Sequence, residues 1–216
     1  MKTIFFDLDD TLYDAGQYRL GVFKEISEYL SKKYKISQKL IYRKTRQLWK
    51  ERTSMYPYLF NDLLKNLNIK ENPREIVRIF NNYDGKMKPY SDTTIVLKQL
   101  KKQNYKLGII TDGNIPKQKR KIKNLGLEKF FEVIIFTKKS KPKPSKIPFL
   151  AALKKMKIKA KNAFYAADNP LIDFEGAKKA GMKTMRLKRG EFVKVPKNKY
   201  IDFEIKELRG LLKITK

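Results

Sequence analysis

Four strings in this 216-residue chain carry residue types that could do chemistry. The first is Ile4-Phe5-Phe6-Asp7-Leu8-Asp9-Asp10-Thr11, a short apolar run ending in three carboxylates within four residues. Asp7 and Asp9 are two apart, so they share a face wherever strand geometry persists. Like charges this close repel and resist desolvation, and a divalent cation is the natural compensation. An acidic strand-to-loop turn is the plainer explanation, since Asp and Thr favour such places. The second string is Thr111-Asp112-Gly113-Asn114. The third is the basic segment 138–142, with Lys141-Pro142 at its end. The fourth carries Asp168 and, five residues on, Asp173. Together they offer a nucleophile, hydroxyl and amide donors, a cation and metal-binding oxygens. Those are the parts of phosphoryl transfer, which depends on positioning and charge neutralisation.

Each string sits where an apolar run stops, and the runs alternate with helical periodicity from residue 86 onward. Strands are expected at Ile4–Phe6, Leu107–Ile110, Val133–Phe136, Ala163–Ala167, Thr184–Leu187 and Tyr200–Phe203. Helices are expected after Asp92, over Pro116–Leu125, up to Met156, over Leu171–Ala180 and around Ile205–Leu212. The alternation predicts an α/β fold with a doubly wound, mostly parallel sheet. In such sheets ligands bind beyond the carboxyl ends of the strands, where all four strings fall. Residues 15–85 read differently, as four helices without a strand. Ser37 is an expected cap, Asn72-Pro73-Arg74-Glu75 a helix start and Gly85 a helix stop. The expected organisation is residues 1–14 plus 86–216 as an α/β unit, interrupted by the helical block 15–85.

Composition narrows the chemistry. There are no cysteines, which excludes disulfides and thiolate sites and is compatible with a cytoplasmic location. The absence of histidine removes imidazole bases and His-metal sites, leaving carboxylates, hydroxyls, lysines and metal. No apolar run reaches the length of a membrane span, and the N-terminus lacks the organisation of a signal peptide. The net charge of +29 would attract polyanions, nucleic acid included. Lysine and arginine are spread over nearly every segment rather than gathered in one stripe, which fits a solvated basic surface better. Oligomeric state is not legible.

In order and in wording the strings resemble the haloacid dehalogenase superfamily, whose members are mostly magnesium-dependent phosphatases. FFDLDDTLYD matches its DxDxT motif at Asp7, Asp9 and Thr11, and LGIITDGN its second motif at Thr111. KPKPSKI matches the lysine motif at Lys141-Pro142, and AADNPLIDFEGAKKAGM the acidic motif at Asp168 and Asp173. The helical block resembles the type-1 cap of that family. Ala167 stands where the family usually has glycine, and Asp9 where true dehalogenases carry an aromatic residue. The resemblance implies Asp7 as nucleophile and Asp9 as general acid and base. It implies Mg²⁺ on Asp7, Asp168 and the main-chain carbonyl of Asp9. Phosphate oxygens would meet Thr111, the amides of Asp112 and Gly113, and Lys141, with Asp173 orienting Lys141 or a metal-bound water. The expected substrate is a small phosphorylated metabolite. A sugar-phosphate mutase, or a polyanion-binding protein on the same fold, would share the strings. Arg19, Lys24, Arg43, Arg46 and Lys50, with Tyr18, Trp49, Tyr56 and Tyr58, are the helical block's candidates for contacting a substrate. For each, an ordinary place on a solvated face or in the core is the simpler account.

Overall fold

The computed structural model describes residues 2–139 and 141–214; Ser140, within the basic third string, lies outside them. The chain divides into two compact units, Met1–Ala15 with Lys86–Lys216, and Gly16–Gly85. In chain order its elements are β1 (Thr3–Phe6), α1 (Gly16–Tyr34), α2 (Gln38–Arg52), α3 (Leu59–Asn66) and α4 (Pro73–Asn82). They continue with α5 (Thr93–Lys102), β2 (Lys106–Thr111), α6 (Ile115–Asn124), β3 (Val133–Phe136) and α7 (Ile147–Met156). The last are β4 (Ala163–Ala167), α8 (Phe174–Lys179), β5 (Lys183–Leu187), β6 (Phe203–Ile205) and α9 (Leu211–Ile214).

The first unit is built on a six-stranded sheet of order β3-β2-β1-β4-β5-β6, every neighbouring pair parallel. β1 is central because its four residues are apolar or small and fully buried, as a strand covered on both faces requires. Phe6 lies opposite Ile109 on one side and Ala166 on the other, so β1, β2 and β4 end close to one level. The ladder continues one step past β1, where Asp7 N donates to Ala166 O at 2.9 Å. Phe5, Phe149, Tyr165 and Phe174 belong to the core on one side of the sheet. Gly108 is required there, since a Cβ would stand 2.6 Å from the Phe5 ring.

The second unit packs α1–α4 around Tyr18, Val22, Phe23, Ile26, Leu30, Ile41, Leu63 and Ile76, all buried. Ser37 caps α2 by accepting from Leu40 N at 3.4 Å, and Asn72 caps α4 by accepting from Arg74 N at 3.0 Å. Gly85 is not the helix stop: α4 ends at Asn82 with Tyr83 as its cap.

Three further elements differ from the sequence reading by more than one residue. β6 begins at Phe203 rather than Tyr200, because Asp202 turns its carboxylate onto Thr184 N at 2.9 Å. α8 begins at Phe174 rather than Leu171, because Asn169 Oδ1 accepts from Leu171 N at 2.9 Å and closes a local turn. The terminal helix breaks into a 3₁₀ turn at Leu208–Gly210 followed by α9. Among the described residues, no helix is long and apolar enough to cross a membrane.

Candidate active site

Asp7 leaves the tip of β1 with 7% of its surface exposed. Its Oδ1 receives a 2.7 Å hydrogen bond from Lys143 Nζ. Lys143 is also 2.6 Å from Asp173 Oδ1 and 3.2 Å from Tyr165 Oη. An ammonium has three protons, and these three acceptors match them. Tyr165 in turn donates to Asp173 at 3.3 Å, and Asp173 Oδ2 accepts from Asn169 N at 3.0 Å. Burial alone would lower the Lys143 ammonium, but the charges of Asp173 and Asp7 reverse this and hold it protonated.

The lysine of the third string that reaches Asp7 is Lys143, whereas Lys141, the one expected there, is exposed. The repeat Lys-Pro-Lys-Pro offers the same dipeptide in two registers, and chain direction places the second of them over Asp7. Asp173 orients Lys143 accordingly. Asp112 ties this loop to the second string: its Oδ1 accepts from Thr137 Oγ1 and, at 3.4 Å, from Lys143 N.

Asp168, at the end of β4, is 4% exposed and accepts from Thr11 Oγ1 at 3.2 Å. Arg186, fully buried on β5, donates through Nε to the Asp168 main-chain oxygen at 3.4 Å. It also pairs with Glu204 at 3.0 Å and reaches Phe192 O at 2.8 Å. Burial, followed by the charges of Asp173 and Asp7, raises the Asp168 carboxyl well above its usual value. Asp7 is pushed up to about 8, by burial and by Asp173 and Asp9, against the opposing pull of Lys143. Buried carboxylates raised by one another favour a further positive charge among them. The carboxylate oxygens of Asp7 and Asp168 are donors of the type a hard divalent cation takes. Among the described residues, no group of three or more acidic side chains converges to hold a metal. Ala167, which stands where the resembled family usually has glycine, is fully buried as the last residue of β4; it is not among the residues of positive φ, so its methyl needs no unusual backbone.

Asp9 is held from the other side. Its Oδ1 accepts from Lys121 Nζ at 2.7 Å and from Tyr13 Oη, and its Oδ2 accepts from Gln118 Nε2 at 2.9 Å. Burial alone would raise its carboxyl, but Lys121, Tyr13 and Gln118 hold it well below the usual range. Gln118 Nε2 also donates to Thr111 Oγ1 at 2.7 Å. Burial pushes the neighbouring Lys117 ammonium down to about 8, with Lys121 adding like charge. Gly113 adopts φ of 108°, which lets the chain turn from β2 into α6.

Lys143, Tyr165, Gln118, Lys121 and Tyr13 were not singled out from sequence. The signal for two of them was present: Gln118 and Lys121 are three apart on a helix and so share a face. Asp10, which sequence reading left without a role, has a structural one. It sits at φ 53° and binds Ala15 N at 2.9 Å and Glu191 N at 3.4 Å. In the helical unit Tyr18 is core and Trp49 lies against Phe23 at 5.5 Å between ring centroids, whereas Tyr58 is 60% exposed. Arg19 stacks over Trp49 at 5.4 Å, and Tyr56 donates to Asp62 at 2.9 Å.

Residues 4–187 match the model of the haloacid dehalogenase-like hydrolases, and the chain belongs to that family. A glyceraldehyde 3-phosphate phosphatase of Pyrococcus furiosus is 34% identical over 222 residues, covering 99% of this chain and 92% of the relative. The crystal structure of a HAD phosphatase from Thermococcus onnurineus is 26% identical, with a TM-score of 0.71, covering 99% of this chain and 97% of that one. YfnB from Bacillus subtilis, solved bound to magnesium, shares the fold at a TM-score of 0.74 and 20% identity, covering 99% and 98%. The chain is a phosphoric monoester hydrolase.

Proposed function

We propose that this hydrolase cleaves a small phosphate monoester through an aspartyl-phosphate on Asp7. The observation that carries the reading is the Lys143 ammonium between Asp7 and Asp173, 2.7 Å and 2.6 Å away. An aspartate attacks as its carboxylate, the form a divalent cation beside Asp7 would favour over the acid that burial raises, so no imidazole base is called for in a chain without histidine. An Asp7 oxygen attacks phosphorus, and the bond from phosphorus to the leaving oxygen breaks. Lys143 balances the charge of the nucleophile and of the phosphoryl oxygens. Thr111 Oγ and the amides of Asp112 and Gly113 receive phosphoryl oxygens at the entry to α6.

Asp9 serves both halves of the reaction, delivering a proton to the leaving oxygen and then taking one from the attacking water. Lys121 holds it as a carboxylate at rest. The proton for the first half therefore enters with the ester, whose second ionisation lies near pH ~6, and Asp9 relays it. Water then attacks the aspartyl-phosphate, Asp9 takes its proton, and inorganic phosphate leaves with Asp7 restored. Mg²⁺ held by Asp7, Asp168 and the Asp9 carbonyl would supply charge neutralisation between nucleophile and phosphoryl group.

Glyceraldehyde 3-phosphate is the first ester to test, because phosphatases of that name share about a third of their residues with nearly the whole chain. The experiment is a panel of metabolite phosphates with Mg²⁺, read as released inorganic phosphate, which also separates hydrolysis from mutase chemistry. Asp7→Asn should fold and lose turnover. Comparable activity in that variant sinks the nucleophile assignment.

A further inference from the structure

We infer that Gln118 and Lys121 are positioning residues, which hold the Asp9 carboxylate for the hydrolytic half of the reaction and couple it to Thr111. The inference rests on the proposed phosphatase reading and assigns work that reading leaves undone. Asp9 lies three residues past the end of β1, and its side chain is 35% exposed. A partly exposed carboxylate beyond the end of a strand has several rotamers of similar energy unless something holds it. Something must choose one of them if water is to be deprotonated at a fixed point.

α6 makes that choice. Lys121 and Gln118 lie one turn apart on the same face, and each takes a different oxygen of Asp9, at 2.7 Å and 2.9 Å. Gripping both oxygens fixes the plane of the carboxylate as well as its position. Tyr13 Oη adds a third donor from the loop that follows β1. Lys121 is 5% and Gln118 1% exposed, so the donors are anchored before any substrate arrives. Burying a lysine against a carboxylate does little for stability, because desolvation offsets the attraction. A positional role is the better account of it.

Gln118 has a second effect. Asp9 as a carboxylate accepts only, so the amide must turn its NH₂ toward it, which fixes the amide's orientation. The same Nε2 donates its other proton to Thr111 Oγ1 at 2.7 Å. Thr111 Oγ1 therefore accepts from Gln118 and keeps its own proton to donate. It reaches Asp112 O at 3.5 Å, the limit of a hydrogen bond. The amide thus prepares Thr111 as a donor to a phosphoryl oxygen while holding Asp9 in register with it.

The test uses p-nitrophenyl phosphate with Mg²⁺, whose leaving group departs without needing a proton. Phosphorylation of Asp7 then bypasses Asp9, and only hydrolysis of the aspartyl-phosphate depends on it. Gln118→Leu and Lys121→Met should each lower kcat about tenfold or more. In rapid mixing Lys121→Met should show a burst of p-nitrophenol approaching one equivalent per site, with labelled phosphoenzyme accumulating to match; Gln118→Leu, which also takes the partner of Thr111 Oγ1, should show a smaller burst with phosphoenzyme still accumulating. Lys121→Arg, which keeps the charged donor, should restore most of the rate. Loss of kcat without a burst overturns the inference, because a merely structural lesion slows both halves. Should Lys121→Met fail to fold, Gln118→Leu, which removes no charge, carries the test by itself. Failure of the underlying reading looks different: no phosphoenzyme trapped in wild type or in either variant, or a burst that survives in Asp7→Asn.

Discussion

Lys143 Nζ lies 2.6 Å from Asp173 Oδ1 across a separation of 30 residues, and both side chains are almost wholly buried. The contact joins the loop after β3 to the start of α8, and it aims the remaining ammonium protons at Asp7 and Tyr165. Lys143→Met should therefore lower kcat by about 10²–10³, the usual cost of a preorganised donor aimed at developing charge. Lys141→Met should change kcat by no more than about twofold, as surface substitutions do. A comparison of the two variants in one assay decides between the registers of Lys-Pro-Lys-Pro. Equal losses would return Lys141 to the site.

Most of the strand tips were legible because both-face burial leaves apolar runs that end where the carboxylates begin. Asp7, Asp168 and Thr111 could be placed on that logic alone. Lys143 could not, since a two-residue repeat carries no information about register until the loop's path is known. Gln118 and Lys121 were hidden for a different reason: α6 is so lysine-rich that its inward face resembles its outward face. Asp10 looked chemical because acidic residues cluster there, yet its backbone lies at φ 53°, which singles out a turn. The β6 boundary was missed because Asp202 spends its side chain on the neighbouring strand's backbone.

The buried carboxylates predict how metal-free protein responds to pH. Asp7 moves from 3.8 to about 8 on folding, and Asp168 moves in the same direction. A carboxyl raised on folding binds more protons in the folded than in the unfolded chain between its two values. Stability is then full below the unfolded value and is lost as pH rises toward the folded one. Asp9, shifted the opposite way, acts in the acid range below that window. In EDTA the melting temperature should fall from pH 5 to pH 8. Mg²⁺ at about a hundred times its dissociation constant should return about 2.7 kcal/mol of stability at the higher pH. Calorimetry at both pH values checks this, and a melting temperature at pH 8 indifferent to Mg²⁺ argues against the cation site. Asp168→Asn should flatten the pH dependence and remove most of the Mg²⁺ response.

Asp10 and Gly190 form one joint. Asp10 is a non-glycine residue at positive φ, tolerated because a short polar side chain suits that region. Gly190, at φ 73°, approaches so closely that a Cβ would stand 2.3 Å from Asp10 Cβ. Asp10→Val should cost about 2–3 kcal/mol, combining left-handed strain with the lost acceptor for Ala15 N. Asp10→Asn, which keeps an acceptor and the backbone preference, should cost less than about 1 kcal/mol. Denaturant unfolding measures both. Similar losses in the two variants would place the effect in the charge of Asp10 rather than in its conformation.

Gly176 links the fourth string to the third. A Cβ there would stand 2.5 Å from both Pro144 O and Ser145 O and 2.8 Å from the Phe149 ring. Two of these neighbours are backbone and cannot rotate away, so α8 or the 144–145 segment must move. Lys143 precedes that segment directly, and Asp173 precedes α8 directly. Separating the two pulls the ammonium from one carboxylate or the other. Gly176→Ala should therefore lower stability by about 1–3 kcal/mol, as overpacking does. It should also lower kcat more than it raises KM, because the ammonium acts on charge that develops in the reaction. Lys143→Met in the Gly176→Ala background should add much less than it does alone, since both changes disturb one contact. Full additivity in that double mutant would show that Gly176 packs the fold without setting the lysine.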